Sequence, residues 1–103
     1  MKFSSQEVEN ILKLYPFAKK KSQQVYSTNT DYVDFHSFYD SIIYLVETWL
    51  SILEPDEKAI IIDKSFKNKS FETIAIQSYY ANHSSVIRKY RKILQKISSF
   101  NIK

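Results

Sequence analysis

Apolar residues recur at intervals of three and four along most of this chain, the spacing of one face of an α-helix. After Ser5, Gln6 and Glu7 the stripe runs Val8, Ile11, Leu12 and Tyr15, and the polar lead-in suits a helix start. Pro16 falls inside it. Proline has no N–H to donate and its ring crowds the preceding turn, so the helix is expected to end or kink there. A second helix is then expected from Phe17 to about Tyr26. Ser27-Thr28-Asn29-Thr30-Asp31 reads as a linker. Beyond it lies the longest stripe: Phe35, Phe38, Tyr39, Ile42, Leu45, Val46, Trp49, Leu50 and Leu53. It predicts one long helix, with Trp49 as a core residue. Ile43 and Tyr44 widen its apolar face, which can pack against the N-terminal helix or against a second subunit.

Glu54-Pro55-Asp56-Glu57 marks a stop and a restart. Proline is tolerated at a helix start, and carboxylates suit its positive end. The helix that follows, about 56–66, offers Ala59, Ile60, Ile62 and Phe66 to a core. Lys67-Asn68-Lys69 is the next turn. Ser70 is a suitable N-cap for a short helix with Phe71, Ile74 and Ala75 on its apolar face, ending near Ser78. Asn82 or Ser84 caps the last helix, whose stripe is Val86, Tyr90, Ile93, Leu94 and Ile97. The expected fold is all-α, with an N-terminal helical region over 1–52 and a C-terminal helical unit over 53–103.

Glycine is absent from the 103 residues. That excludes glycine-rich phosphate loops, and it leaves asparagine to supply left-handed turns, at Asn10, Asn29, Asn68, Asn82 or Asn101. Cysteine is absent too, which excludes disulfides, thiolate nucleophiles and Cys-ligated metals. Polar residues follow Met1-Lys2-Phe3 at once, and no apolar run is long enough to span a bilayer. A cytoplasmic protein with no membrane partner is the expectation.

The net charge of +4 is modest, but its distribution is not even. All 11 acidic residues lie at or before Glu72. After it come only Arg88, Lys89, Arg91, Lys92, Lys96 and Lys103, five of them on the last predicted helix. A local field of this kind attracts polyanions. Lys19-Lys20-Lys21 leaves two readings open, a solvated face or a secondary phosphate contact.

Three segments in order carry a family resemblance: Leu53-Glu54-Pro55-Asp56-Glu57-Lys58 with Phe66; Ser70-Phe71-Glu72-Thr73-Ile74-Ala75; and Val86 ahead of a basic amphipathic helix. From Leu53 to Ile97 the chain resembles the helix-turn-helix of sigma-70 region 4. It is most similar to small phage and prophage transcriptional regulators of the ArpU/RinA-like group. The family pattern usually has a leucine–glycine turn before the reading helix. Here Ser78-Tyr79-Tyr80-Ala81-Asn82 stands in its place, glycine-free and one residue longer. With Val86 as anchor, Asn82 matches the family's capping serine, and the residues that usually face bases match His83, Ser84, Ser85, Ile87 and Arg88.

The resemblance implies a sequence-specific transcriptional regulator of phage or mobile-element origin that binds double-stranded DNA. The second helix of such a motif enters the major groove near its N-terminal end. Arg88 has the geometry for bidentate contact with guanine. Lys89, Arg91, Lys92 and Lys96 suit backbone phosphates, and Lys67, Lys69 and Ser70 stand near the same strand. Each position also has a plain reading: His83 as a surface or capping residue, the basic run as a solvated face, Tyr79 and Tyr80 as turn packing. Small DNA-binding domains gain affinity by dimerising, and the aromatic-rich helices before Glu54 are the expected homodimer surface. The alternative function is a protein–protein module that targets RNA polymerase or a host regulatory protein. Catalysis is not expected: His36 and His83 share no ligand spacing, and no cofactor or metal motif occurs. A carboxylate–histidine site at Asp34, His36 and Asp40 is the one enzymatic arrangement the residues suggest.

Overall fold

A computed structural model describes residues 2–25, 33–78, 80 and 82–100, with the side chains of 24, 25 and 33–37 outside the description. The elements are α1 (Ser5–Val25), α2 (Val33–Ser51), α3 (Pro55–Ile61), α4 (Phe71–Gln77) and α5 (His83–Ser99). A single wide, π-type turn, Ile62–Phe66, continues α3. The expected linker at 27–31 and the side chains of Asp34, Phe35 and His36 fall outside the described residues.

The start of α1 is fixed by a reciprocal cap. Ser4 Oγ accepts the Glu7 N–H at 3.1 Å, and Glu7 Oε1 accepts the Ser4 N–H at 2.9 Å. The helix then runs through Pro16 to Val25, which corrects the expectation of two helices. Pro16 is exposed, so it displaces no core residue, and the cost is confined to the lost hydrogen bond and the crowding of the preceding turn. Val8, Leu12 and Ala18, on both sides of the proline, are fully buried, and their burial in one groove outweighs that local cost.

Helix α1 lies between α2 and α5 and runs antiparallel to both. Tyr15 donates to Glu47 at 2.9 Å and Ser22 to Asp40 at 3.0 Å, which ties α1 to α2. Tyr90 donates to Glu9 at 2.8 Å, and Ser98 donates to the Phe3 carbonyl at 2.6 Å, which ties α1 to α5. One cluster of buried residues joins Val8 and Leu12 to Val46, Trp49, Ile60, Ile61, Tyr90 and Ile97. The core therefore draws on both sides of residue 53. Trp49 is buried as expected, with Phe3 edge-on at 5.6 Å. Phe38, expected on the same stripe, is instead half exposed on the flank of α2.

In α3 the buried face differs from the expected one. Ala59 is exposed and Ile62 only half-buried, whereas Ile60 and Ile61 are buried. The inward stripe is Glu57, Ile60, Ile61, Lys64 and Ser65, which keeps helical spacing but carries three polar members. Each has a specific partner: Lys96 for Glu57, the Phe71 ring at 4.5 Å for Lys64, and Tyr90 for Ser65. The wide turn ends with the Lys67 N–H on the Ile62 carbonyl at 2.9 Å. It brings Phe66 onto the Tyr15 ring, with centroids 4.8 Å apart. Asn68 follows with φ 56°, the left-handed position that asparagine fills in a chain without glycine. No helix among the described residues is long and apolar enough to cross a membrane.

Candidate nucleic-acid interface

The last helix is anchored on one side and open on the other. Asn82 caps it, accepting the Ser85 N–H at 3.0 Å. Val86, Tyr90, Ile93, Leu94 and Ile97 are all buried, as their spacing predicts. At about 100° per residue the opposite side carries Ser84, Arg88, Arg91, Lys92 and Gln95, and all five are exposed. His83 is exposed at the first position. Ile87 is half-buried on one flank, where it lines a cleft with Phe71, Arg91 and Leu94.

Helix α4 packs against the N-terminal half of α5. Ser70 caps it, accepting the Thr73 N–H at 3.1 Å and donating to Thr73 Oγ1 at 2.8 Å. Ile74, Ala75 and Val86 form a small second cluster, closed by Phe71 and Tyr80. The turn between the helices uses Tyr80 as its wedge. Its N–H donates to the Ala75 carbonyl at 3.0 Å, and its ring packs on the cluster. Ser78 at φ −103° and Asn82 at φ −163° show that neither of these turn positions needs a left-handed residue. Tyr79 and Ala81 lie outside the described residues.

The basic residues divide into two groups. One edge of α5 faces the first turn of α3. There Lys89 is paired with Asp56 and also lies over the Tyr80 ring at 5.9 Å, while Lys96 meets Glu57 Oε1 at 2.8 Å. The hydrogen bond from Lys89 holds the Asp56 carboxyl below its ordinary range, and the same bond raises the Lys89 ammonium. Glu57 is also lowered, first by Lys96 and then by the Glu54 N–H, which donates to it at 2.8 Å. Near α4, Lys69 bonds Gln77 at 2.9 Å and pairs with Asp63 at 3.4 Å. Arg88, Arg91 and Lys92 form the other group. Among the described residues they have no ion-pair partner. Lys67 is exposed as well.

Arg88 and Lys92 share an open groove of about 400 Å³ with Ser85, Lys89 and Glu57. The sequence pattern gave Asp56 and Glu57 only the role of helix-start carboxylates. Their spacing to Lys89 and Lys96 is more than 30 residues, so no local signal connects them.

Beneath this face Tyr90 joins three elements. Its hydroxyl donates to Glu9 on α1 at 2.8 Å and lies 3.4 Å from Ser65 Oγ on the wide turn. Burial, and then the Glu9 carboxylate, push its pKa up, while Ser65 acts in the opposite direction. The network links α5 to α1 and the wide turn on the side opposite the exposed arginines. Among the described residues no group of three His, Asp or Glu side chains is placed to hold a metal ion. No known protein family, curated protein or solved structure matches the chain.

Proposed function

We propose that this protein is a sequence-specific double-stranded DNA-binding transcriptional regulator. In this reading α3, α4 and α5 form a helix-turn-helix of sigma-70 region 4 type, and α5 enters the major groove. The observation that carries it is the strip of Ser84, Arg88, Arg91 and Lys92 on a helix whose opposite face is locked into the core. A DNA-reading helix needs both properties: cationic, hydrogen-bonding side chains outward, and a rigid seat that fixes their register. Arg88, one turn into the helix, is placed for bidentate contact with guanine O6 and N7. Arg91 and Lys92 hold phosphates, and His83 and Ser84 meet the backbone or base edges beside the exposed N–H groups of the first turn. Lys67 adds a phosphate contact near α4.

Selection from a pool of random duplexes at two salt concentrations tests the reading. Enrichment of one motif, with affinity falling steeply as salt rises, supports it. Failure to enrich any motif, with weak binding at low salt, refutes it.

One observation favours a protein partner instead. Ile76 on α4 is 77% exposed, beside Glu72 and His83, and an exposed apolar side chain next to a carboxylate suits a protein surface better than a phosphate backbone. A module that docks RNA polymerase or a host regulator would use that face. Purified polymerase should then retain the wild-type protein and release the Ile76→Ser variant. Two copies would read two half-sites, and sedimentation of the intact chain tests that homodimer directly.

A further inference from the structure

The groove beside the outward face of α5 contains a feature that works against polyanion binding. Glu57 lines it together with Arg88 and Lys92, and Asp56 stands next to it on the same helical turn. These two carboxylates pair with Lys89 and Lys96, the charges a phosphate would otherwise meet on that edge. Glu57 sits on the inward side of α3 and Lys96 satisfies it there, whereas the pairing of Asp56 with Lys89 is a surface contact. Surface ion pairs of this type contribute little stability, and Asp56 is largely exposed. Their electrostatic effect on an approaching duplex is larger, because they lower the positive potential along one edge of α5 and leave the other edge unchanged.

We infer that Asp56 and Glu57 are specificity-determining residues, acting as internal phosphate mimics that limit non-specific attraction to the DNA backbone. This rests on the DNA-binding reading given above. With Lys89 and Lys96 held by α3, backbone attraction comes mainly from Arg91 and Lys92, and base contacts through Arg88 make up a larger share of the binding energy. A protein that must find one site among many random ones gains discrimination in this way, since non-specific affinity scales with the number of phosphates neutralised.

The test is the double variant Asp56→Asn, Glu57→Gln in the full chain, with a duplex selected by the wild type and a scrambled duplex of the same length. Glutamine at 57 retains an acceptor for the Glu54 N–H, and Trp49 fluorescence reports whether the fold is intact. Release of two lysines steepens the slope of log affinity against log salt by up to about 1.8. Between 50 and 200 mM salt that is about a twelvefold larger loss of affinity than in the wild type. The scrambled duplex should gain more at low salt than the selected one, so the ratio between them falls. An unchanged slope and ratio in a folded variant overturns the inference and leaves the DNA reading standing. Weaker binding of both duplexes by a folded variant also overturns it, since the pairs then serve to orient α5. If the wild type binds neither duplex at low salt, the DNA reading falls and this inference with it.

Discussion

Replacing Tyr90 by phenylalanine removes one oxygen from the point where α1, the wide turn and α5 meet. The side chain is 3% exposed, and its hydroxyl donates to Glu9 Oε2 at 2.8 Å. A hydrogen bond to a charged acceptor contributes roughly 1.5–3 kcal/mol. Glu9 is only half-buried, so water recovers part of that for the carboxylate. Ser65, at 3.4 Å, loses a weak contact inside the core. The ring itself is conserved, including its edge contact with Phe71 at 5.5 Å. The expected loss is therefore about 1–2 kcal/mol, or about 5–15 °C in Tm for a domain of this size.

The assay is urea unfolding followed by fluorescence of Trp49, the single tryptophan, which is buried. The midpoint should fall with the m-value unchanged. The pH dependence adds a second check. Burial raises the Tyr90 pKa above the ordinary 10.0, so as pH rises the unfolded chain loses that proton before the folded one does. The contribution is whole below about pH 10 and declines above it, as the folded hydroxyl resists ionisation. Wild type and Tyr90→Phe should therefore converge as pH passes 10. Tyr15, pushed up to about 12 chiefly by burial and then by Glu47, acts equally in both proteins. Equal midpoints at pH 7, or a gap that widens above pH 10, would refute the network's role.

Other changes probe the same structure. Pro16→Ala should stabilise the protein by about 1–3 kcal/mol, because an exposed mid-helix position regains its hydrogen bond; a lower urea midpoint would contradict the continuous α1. Asn82→Ala should cost about 1 kcal/mol and speed amide exchange at Ser85, whose N–H it caps. Arg88→Ala should reduce discrimination among duplexes, whereas Lys92→Ala should weaken binding to all of them and reduce the salt slope by about 1. Equal losses on specific and random DNA for both variants would refute that division.

Much of the fold was legible because helical spacing is a local property. The five apolar positions of α5 and the three of α4 that meet the core or its second cluster were readable from periodicity alone. The cap at Ser70 was legible too, while the structure chose Asn82 over Ser84 as the last cap and Asn68 among five asparagines as a left-handed position. Pro16 misled because propensity is weak beside tertiary burial: Leu12 and Ala18 bury on either side of it in one groove. The face of α3 misled because three of its inward residues are polar, and only partners remote in sequence make that tolerable.

The sequence alone determined that the chain is helical, where most helices begin and end, and that positive charge gathers on the last of them. Those properties follow from spacing, capping chemistry and composition, which need no knowledge of neighbours. Tertiary structure decided which of the basic residues stay available. Lys89 and Lys96 are indistinguishable from Arg91 and Lys92 as members of a basic helix, yet they face α3, where Asp56 and Glu57 hold them. The rotation of α5 about its axis sets that division, and the burial of Val86, Tyr90, Ile93, Leu94 and Ile97, with Tyr90 tied to α1 and the wide turn, sets the rotation. Both depend on contacts between residues 25 to 81 positions apart, a distance over which the pattern along the chain carries no information.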